Sequence, residues 1–221
     1  IILSSGNKIP KFSSDITCIG YTPTSDYTKS TNIYWGLKYA PTNNLRVFKN
    51  KDNNIDRVLI ALGGISNNKD FMKYLIMALN KVDHIRVLTI LISPVNSVYN
   101  YSDISLRKDL SLNIVQGVSN VNDYICSSGL VIASYGNLCY EVLSHRINLL
   151  IVAQKKFQED YAKILEKKGY ANYLTFIEEN DVEKIAKKIK VYYEKINIKK
   201  KKKIYPNGIG RISEIILKKL F

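Results

Sequence analysis

The sequence predicts an α/β fold, a parallel sheet with helices on both faces, and three observations predict it. Short apolar runs recur from residue 57 onward, as at 57–62, 87–92 and 148–152. These runs are continuous rather than alternating, which is the pattern of strands buried on both faces. Between them lie segments with apolar residues at helical spacing, such as Phe71, Met72, Leu75, Ile76, Leu79 and Val82. Strand and helix therefore alternate, and alternation of this kind implies a parallel sheet.

Each element has its own signal. Residues 57–62 form a strand that stops at Gly63 and Gly64, and the helix over 69–82 follows. Residues 87–92 form a second strand closed by Ser93 and Pro94. The polar stretch 96–109 reads as a loop with room for a short hairpin. A third strand is expected at 112–115 and a brief helix at 120–127, with Asn120 as its cap. The fourth strand covers 129–133 and its helix 137–145. A strand at 148–152 leads to a helix over 157–168, which Gly169 ends. A last strand at 173–176 precedes helices over 180–195 and 210–220.

Residues 51–205 thus make one Rossmann-like unit, and 206–221 a C-terminal helix. Residues 1–50 lack this rhythm and carry Pro10, Pro23 and Pro41 among Ser, Thr and Asn. They are expected to be the tail of an N-terminal domain plus a linker. The chain starts with Ile1 instead of methionine, so a fragment of a longer protein is expected.

Composition narrows the class. At 221 residues and 46% apolar content the chain is expected to be globular. No window reaches the roughly 18 consecutive apolar residues of a membrane span, and the first residues lack the basic segment and apolar core of a signal peptide. Cys18, Cys126 and Cys139 have no metal-ligand spacing, and two of them sit in apolar runs. Buried, reduced thiols in a cytoplasmic protein are the expectation. The net charge is +14, and residues 181–221 hold thirteen Lys/Arg against four Asp/Glu. Residues 199–203 are five consecutive lysines. The run lacks interleaved aromatics and no nucleic-acid-binding motif accompanies it, so no nucleic-acid partner is expected. It leaves an anionic membrane surface open as a peripheral partner.

The segment with most chemical content is ValIleAlaSerTyrGlyAsnLeuCysTyrGlu at 131–141. A buried strand, a small-residue turn and a helix would aim free N–H groups at whatever sits above the turn. Such a site suits a phosphate or diphosphate. Glu141, one turn further in, would face the same crevice within reach of sugar hydroxyls. The same pattern also describes an ordinary β-turn-α junction, and the residues alone leave both readings open. Both glycine turns, at 63–64 and at 136, lie at carboxyl ends of strands, where ligands of such sheets bind. They can share one crevice.

Four segments together resemble the C-terminal half of a GT-B fold nucleotide-sugar enzyme. GlyLeuLysTyrAla at 36–40 is similar to the interdomain sequence of that group. LeuIleAlaLeuGlyGlyIleSer at 59–66 resembles its first glycine loop. SerTyrGlyAsnLeuCysTyrGlu at 134–141 stands at its small-residue turn and glutamate. PheGln at 157–158 stands where it has an Asn-Gln pair. AsnGlyIleGlyArgIle at 207–212 also resembles the closing segment of the group, although it is shorter between the second glycine and Arg211. The nearest resemblance is to the UDP-sugar hydrolases of pseudaminic acid synthesis and the spore-coat polysaccharide biosynthesis G-type proteins. MurG-type transferases are more distant.

The resemblance implies a UDP-sugar as substrate, hydrolysed to free sugar and UDP. The alternative it leaves is a glycosyltransferase with the same donor, or a non-catalytic donor-binding subunit. It implies that Gly63, Gly64 and Ser66 lie beside the diphosphate or the sugar. Ser134, Tyr135, Gly136 and Asn137 would form the diphosphate turn, with Tyr135 where many relatives have glycine. Glu141 would accept hydrogen bonds from the ribose, Gln158 would touch sugar or phosphate, and uracil would rest near Gln116 to Val118. No cofactor or metal is implied. The Gly-x-Gly-His-x-x-Arg motif of the hydrolases is missing from the sequence, so the base would come from an N-terminal domain or a separate partner chain. His84 and His145 read as structural, since neither lies at a predicted strand's carboxyl end.

Overall fold

The computed structural model describes residues 2–4, 16–19, 33–40, 42, 54–63, 69–94, 101–196 and 207–220. Its main body is a six-stranded parallel sheet of β4 (Arg57–Ala61), β5 (Val87–Ile92), β6 (Ser111–Gln116), β7 (Leu130–Ser134), β8 (Asn148–Ala153) and β9 (Asn172–Phe176), in the order β6-β5-β4-β7-β8-β9. The helices are α1 (Lys69–Asn80), α2 (Val121–Cys126), α3 (Asn137–Ser144), α4 (Lys156–Lys167), α5 (Val182–Lys195) and α6 (Gly208–Leu220). The expected α/β, Rossmann-like architecture is the observed one.

The continuous apolar runs have a direct structural cause. Along β4, β7 and β8 the side chains alternate between two cores, and both cores are apolar. Val58, Ile60, Leu130, Ile132, Leu150 and Val152 face one core, together with α1 and α5. Leu59, Val131, Ala133, Leu149 and Ile151 face the other, together with α3 and α4. A strand covered on both sides has no polar face to show, so every position reads as apolar. The edge strand β6 is covered less and its burial alternates.

Local signals set the boundaries. Asn120 caps α2 by accepting the N–H of Asn122 at 3.2 Å. Asp181 caps α5 by accepting the N–H of Lys184 at 2.9 Å. Gly169, at φ 74°, ends the turn after α4 in the left-handed conformation that glycine adopts most readily. Residues 101–110 form turns and loop, so the described part of the expected 96–109 loop contains no hairpin strand.

The amino-terminal region holds a second, smaller sheet that no apolar run in the sequence announces. Three three-residue strands, β1 (Ile2–Ser4), β2 (Thr17–Ile19) and β3 (Ile33–Trp35), form a separate parallel sheet in the order β1-β2-β3. Strands this short leave no apolar run for the sequence to display. A 3-10 turn at Leu37–Tyr39 follows, and Ala40 is fully buried in the second core. Helix α6 packs here through Ile212, which clusters with Ile16 and Cys18.

The closing AsnGlyIleGlyArg segment explains this contact. Asn207 accepts the N–H of Gly210 at 2.9 Å, and Arg211 donates to the carbonyl of Lys38 at 3.3 Å. A β-carbon on Gly208 would lie 1.7 Å from the carbonyl oxygen of Ala40. The three atoms nearest to one on Gly210 all belong to the Asn207 side-chain amide, the first at 2.4 Å. Gly208→Ala should therefore lower stability in urea denaturation by roughly 1–3 kcal/mol, the usual cost of overpacking. Gly210→Ala should lose about 1 kcal/mol, the value of a cap, because the Asn207 side chain can swing away. An unchanged midpoint for Gly208→Ala would refute the backbone contact.

Candidate functional site

The strand order creates a crevice. The chain builds β4, β5 and β6 outward in one direction and then returns to place β7 on the other side of β4. The helices that follow β4 and β7, α1 and α3, pack on opposite faces of the sheet, and ligands of open α/β sheets bind where the order reverses. Ala61 pairs with Ala133, so the two glycine turns start at the same level. Gly63 has φ 80°, a left-handed conformation that suits glycine. A β-carbon added to Gly63 or Gly136 would meet no atom within 4 Å. Among the described residues, both glycines therefore face open space.

Two glutamine side chains hold the floor of this crevice. The amide nitrogen of Gln154, just past β8, donates to the carbonyl of Leu62 at 2.6 Å and to the hydroxyl of Ser134 at 2.5 Å. Gln158 accepts the N–H groups of Gln154 at 2.7 Å and of Lys155 at 3.2 Å. Its amide nitrogen donates to the carbonyl of Tyr135 at 2.9 Å. The ends of β4, β7 and β8 are thus tied together. Gln158 is expected from the resemblance to touch sugar or phosphate. Its oxygen caps α4 and its nitrogen braces the turn after β7. Gln154 was missed by sequence reasoning, since a lone glutamine after an apolar strand carries no signal.

Helix α3 starts at this crevice. No side chain caps it, and Gly136 at its N-cap leaves the approach to its first turn clear. The first N–H groups of a helix lack partners within it, and its dipole favours negative charge there. Cys139 anchors the turn from below, donating its thiol to the carbonyl of Ser134 at 3.2 Å, and burial pushes that thiol up to about 12. Asn137 is exposed at the mouth. Glu141 lies one turn along and is half-buried, with no hydrogen-bonding or ionic partner for its carboxylate among the described residues. Burial raises the pKa of that carboxyl above the ordinary glutamate value. An acceptor held without a protein donor is suited to hydroxyl groups of a ligand.

Tyr135 turns inward. Its ring stacks on Tyr161 at 5.3 Å, and its hydroxyl shares a 2.5 Å hydrogen bond with Tyr140. The bulk that replaces a glycine therefore fills the second core, and only its backbone borders the turn. Gly64 and Ser66 lie outside the described residues, as does the lysine run 199–203. Val118 is half-buried beyond Gly117, at the end of the edge strand β6, on the far side of β5 from β4.

The histidines sit away from the crevice. His145 ends α3, with Nε2 3.1 Å from Asn122 Oδ1 and Nδ1 3.6 Å from the Cys126 sulfur. It joins α2 to α3, and burial lowers its pKa. His84 is exposed before β5 and stacks on Tyr193 at 5.9 Å. Cys18 and Cys139 are buried, whereas Cys126 is half-buried; all three are free thiols. Among the described residues, no group of three or more His, Cys, Asp or Glu could hold a metal ion, and no helix is long and apolar enough to cross a membrane.

No protein-family model and no curated protein matches this sequence. Solved structures do match its fold. The spinosyn rhamnosyltransferase SpnG, solved with thymidine diphosphate, superposes with a TM-score of 0.56 at 16% identity, covering 82% of this chain and 49% of that one. MurG of Acinetobacter baumannii gives 0.57 at 12% identity, covering 83% and 51%. The glycosyltransferase SnogD from Streptomyces nogalater gives 0.50 at 11% identity, covering 90% and 56%. The chain spans about half the length of these structures. At these identities the likeness is one of fold, and the fold of this chain is GT-B glycosyltransferase-like.

Proposed function

We propose that this chain is the donor-binding half of a GT-B glycosyltransferase that takes a nucleoside diphosphate-sugar, with UDP as the nucleotide. The observation that carries this reading is the pairing of two open glycine turns with the uncapped start of α3 at the switch point. The diphosphate would rest on the backbone of Gly136 and Asn137, beside Gly63. Glu141 would accept the ribose hydroxyls. Gly64, Ser66, Ser134 and Val118 complete the assignment implied by the resemblance. Gln158 and the Tyr135 ring would act by holding the turn, and Gln154 joins them in that role.

In the reaction an acceptor oxygen forms a bond to the anomeric carbon as the bond from that carbon to the diphosphate oxygen breaks. The electron pair leaves with UDP, and the acceptor proton passes to a base. Backbone N–H groups and the α3 dipole would stabilise the charge that develops on the leaving diphosphate. The base and the acceptor site belong to an N-terminal domain or a separate partner chain, and β1–β3 are read as the described remainder of that domain. Hydrolysis differs only in using water as the nucleophile. The transferase reading is preferred because SpnG and SnogD are both transferases.

Calorimetric titration with UDP tests the site. Micromolar binding is expected, with Glu141→Ala weakening it about tenfold or more, equivalent to roughly 1.4 kcal/mol. A folded chain that gives no heat with UDP, alone or joined to its acceptor domain, would end this reading.

Acidity supplies a second test. Because the Glu141 carboxyl is raised by burial, UDP affinity should fall on acidification at a pH above that of an ordinary glutamate. In Glu141→Gln that acid limb should vanish. The stability of the free protein has the opposite sign. The contribution of a raised carboxyl is present below its unfolded pKa and is lost as pH rises through the folded pKa. Glu141→Gln should therefore stabilise the ligand-free chain at neutral pH and leave it unchanged in acid, read from unfolding midpoints at both pH values.

A further inference from the structure

A second concavity lies at the opposite end of the sheet. Its volume is about 550 Å³, within the range of roughly 300–1,000 Å³ common for small-molecule sites. It opens at the amino ends of β8 and β9, beside the carboxyl ends of α3, α4 and α5. The crevice at the carboxyl ends lies a full strand length away, so the two sites share no lining residue.

The chemistry of the wall is lopsided. Its apolar part includes Leu150, Leu174 and Val191, and Val191 is one of only three exposed large hydrophobic residues among the described ones. Four cations, Arg146, Lys187, Lys188 and Lys195, stand around a single carboxylate, that of Glu166. Glu166 is already occupied, accepting the N–H of Tyr173 at 3.2 Å and the Asn172 amide at 3.3 Å. Lys188 donates to the carbonyl of Leu174 at 2.7 Å. Lys187 and Lys195 have no acidic partner among the described residues, and both are exposed on the α5 face that carries Val191.

Tyr192 adds a polar handle within the same wall. It is half-buried, and its hydroxyl has no hydrogen-bond partner among the described residues. An apolar floor, a phenol and the exposed Lys187 and Lys195 together recognise a ligand with an apolar body and a negative head. We propose that this cavity binds an amphipathic anion, a phosphate or carboxylate on an apolar body, independently of the crevice at the carboxyl ends.

The test uses the whole chain and octyl phosphate below its micellar concentration, followed by calorimetry. One-to-one binding is expected, at least tenfold tighter than that of octyl glucoside or inorganic phosphate. The double variant Lys187→Glu, Lys195→Glu should weaken octyl phosphate at least tenfold, and Val191→Asp should weaken it as well. These positions are exposed, and unchanged unfolding midpoints would show that the variants fold. UDP should not displace octyl phosphate. Absence of binding, equal affinity in the folded double variant, or displacement by UDP would each overturn the assignment, whether or not UDP occupies the crevice. Displacement of octyl phosphate by phosphatidylglycerol vesicles but not by phosphatidylcholine vesicles would identify a lipid as its source. Displacement by neither would identify a soluble anion.

Discussion

The amide nitrogen of Gln154 reaches from the end of β8 to the carbonyl of Leu62 at the end of β4 and to the hydroxyl of Ser134 at the end of β7. Parallel strands pair along their length, but at a switch point the chain after each strand departs in a different direction. Backbone pairing cannot hold those departures together, and side chains must do so. Gln154 uses both of its N–H donors for this purpose. Gln158 extends the brace to the Tyr135 carbonyl, and through its oxygen it also fixes the start of α4. The glycines above contribute no side chains, so the brace defines the floor and leaves the space over it open. A surface made of backbone has to be positioned by such neighbours, since it has no rotamers of its own to adjust.

The same logic governs the C-terminal segment. Gly208 lets the first turn of α6 abut the carbonyl of Ala40, and Arg211 bonds to Lys38. The two segments at 36–40 and 207–212, far apart in sequence, are thus two sides of one contact. Ala40 also belongs to the second core, so the contact links the small sheet's exit to the Rossmann-like body.

Most of the main sheet was legible because two-sided burial writes itself into consecutive apolar residues, as at Leu149 to Ala153. Caps at Asn120 and Asp181 and the glycine at 169 marked ends through their own backbone preferences. The small sheet was not legible, since Thr17–Ile19 or Ile33–Trp35 is too short to show a period. At the site the turn around Gly136 could be read from its small residues. The inward course of Tyr135 could not, because it depends on Tyr140 and Tyr161 supplying a slot. Nor could the brace, for Gln154 bonds to atoms on strands distant in sequence. The amino-end cavity was equally hidden, because its lining comes from β8, β9 and the ends of three helices that only the folded chain brings together.

The strand order also dictates when this protein can fold. β4 emerges from the ribosome before the other strands of the main sheet and can pair with β5, which in turn pairs with β6. Its other edge must wait for β7, since Val58 pairs with Leu130. During that interval one side of β4 has free backbone groups and uncovered Leu59. An unpaired parallel edge is slow to satisfy and open to wrong partners, including nascent copies of itself. The reversal that forms the crevice in the finished molecule therefore imposes a vulnerable stage during its synthesis, which ends only when the second half of the sheet arrives.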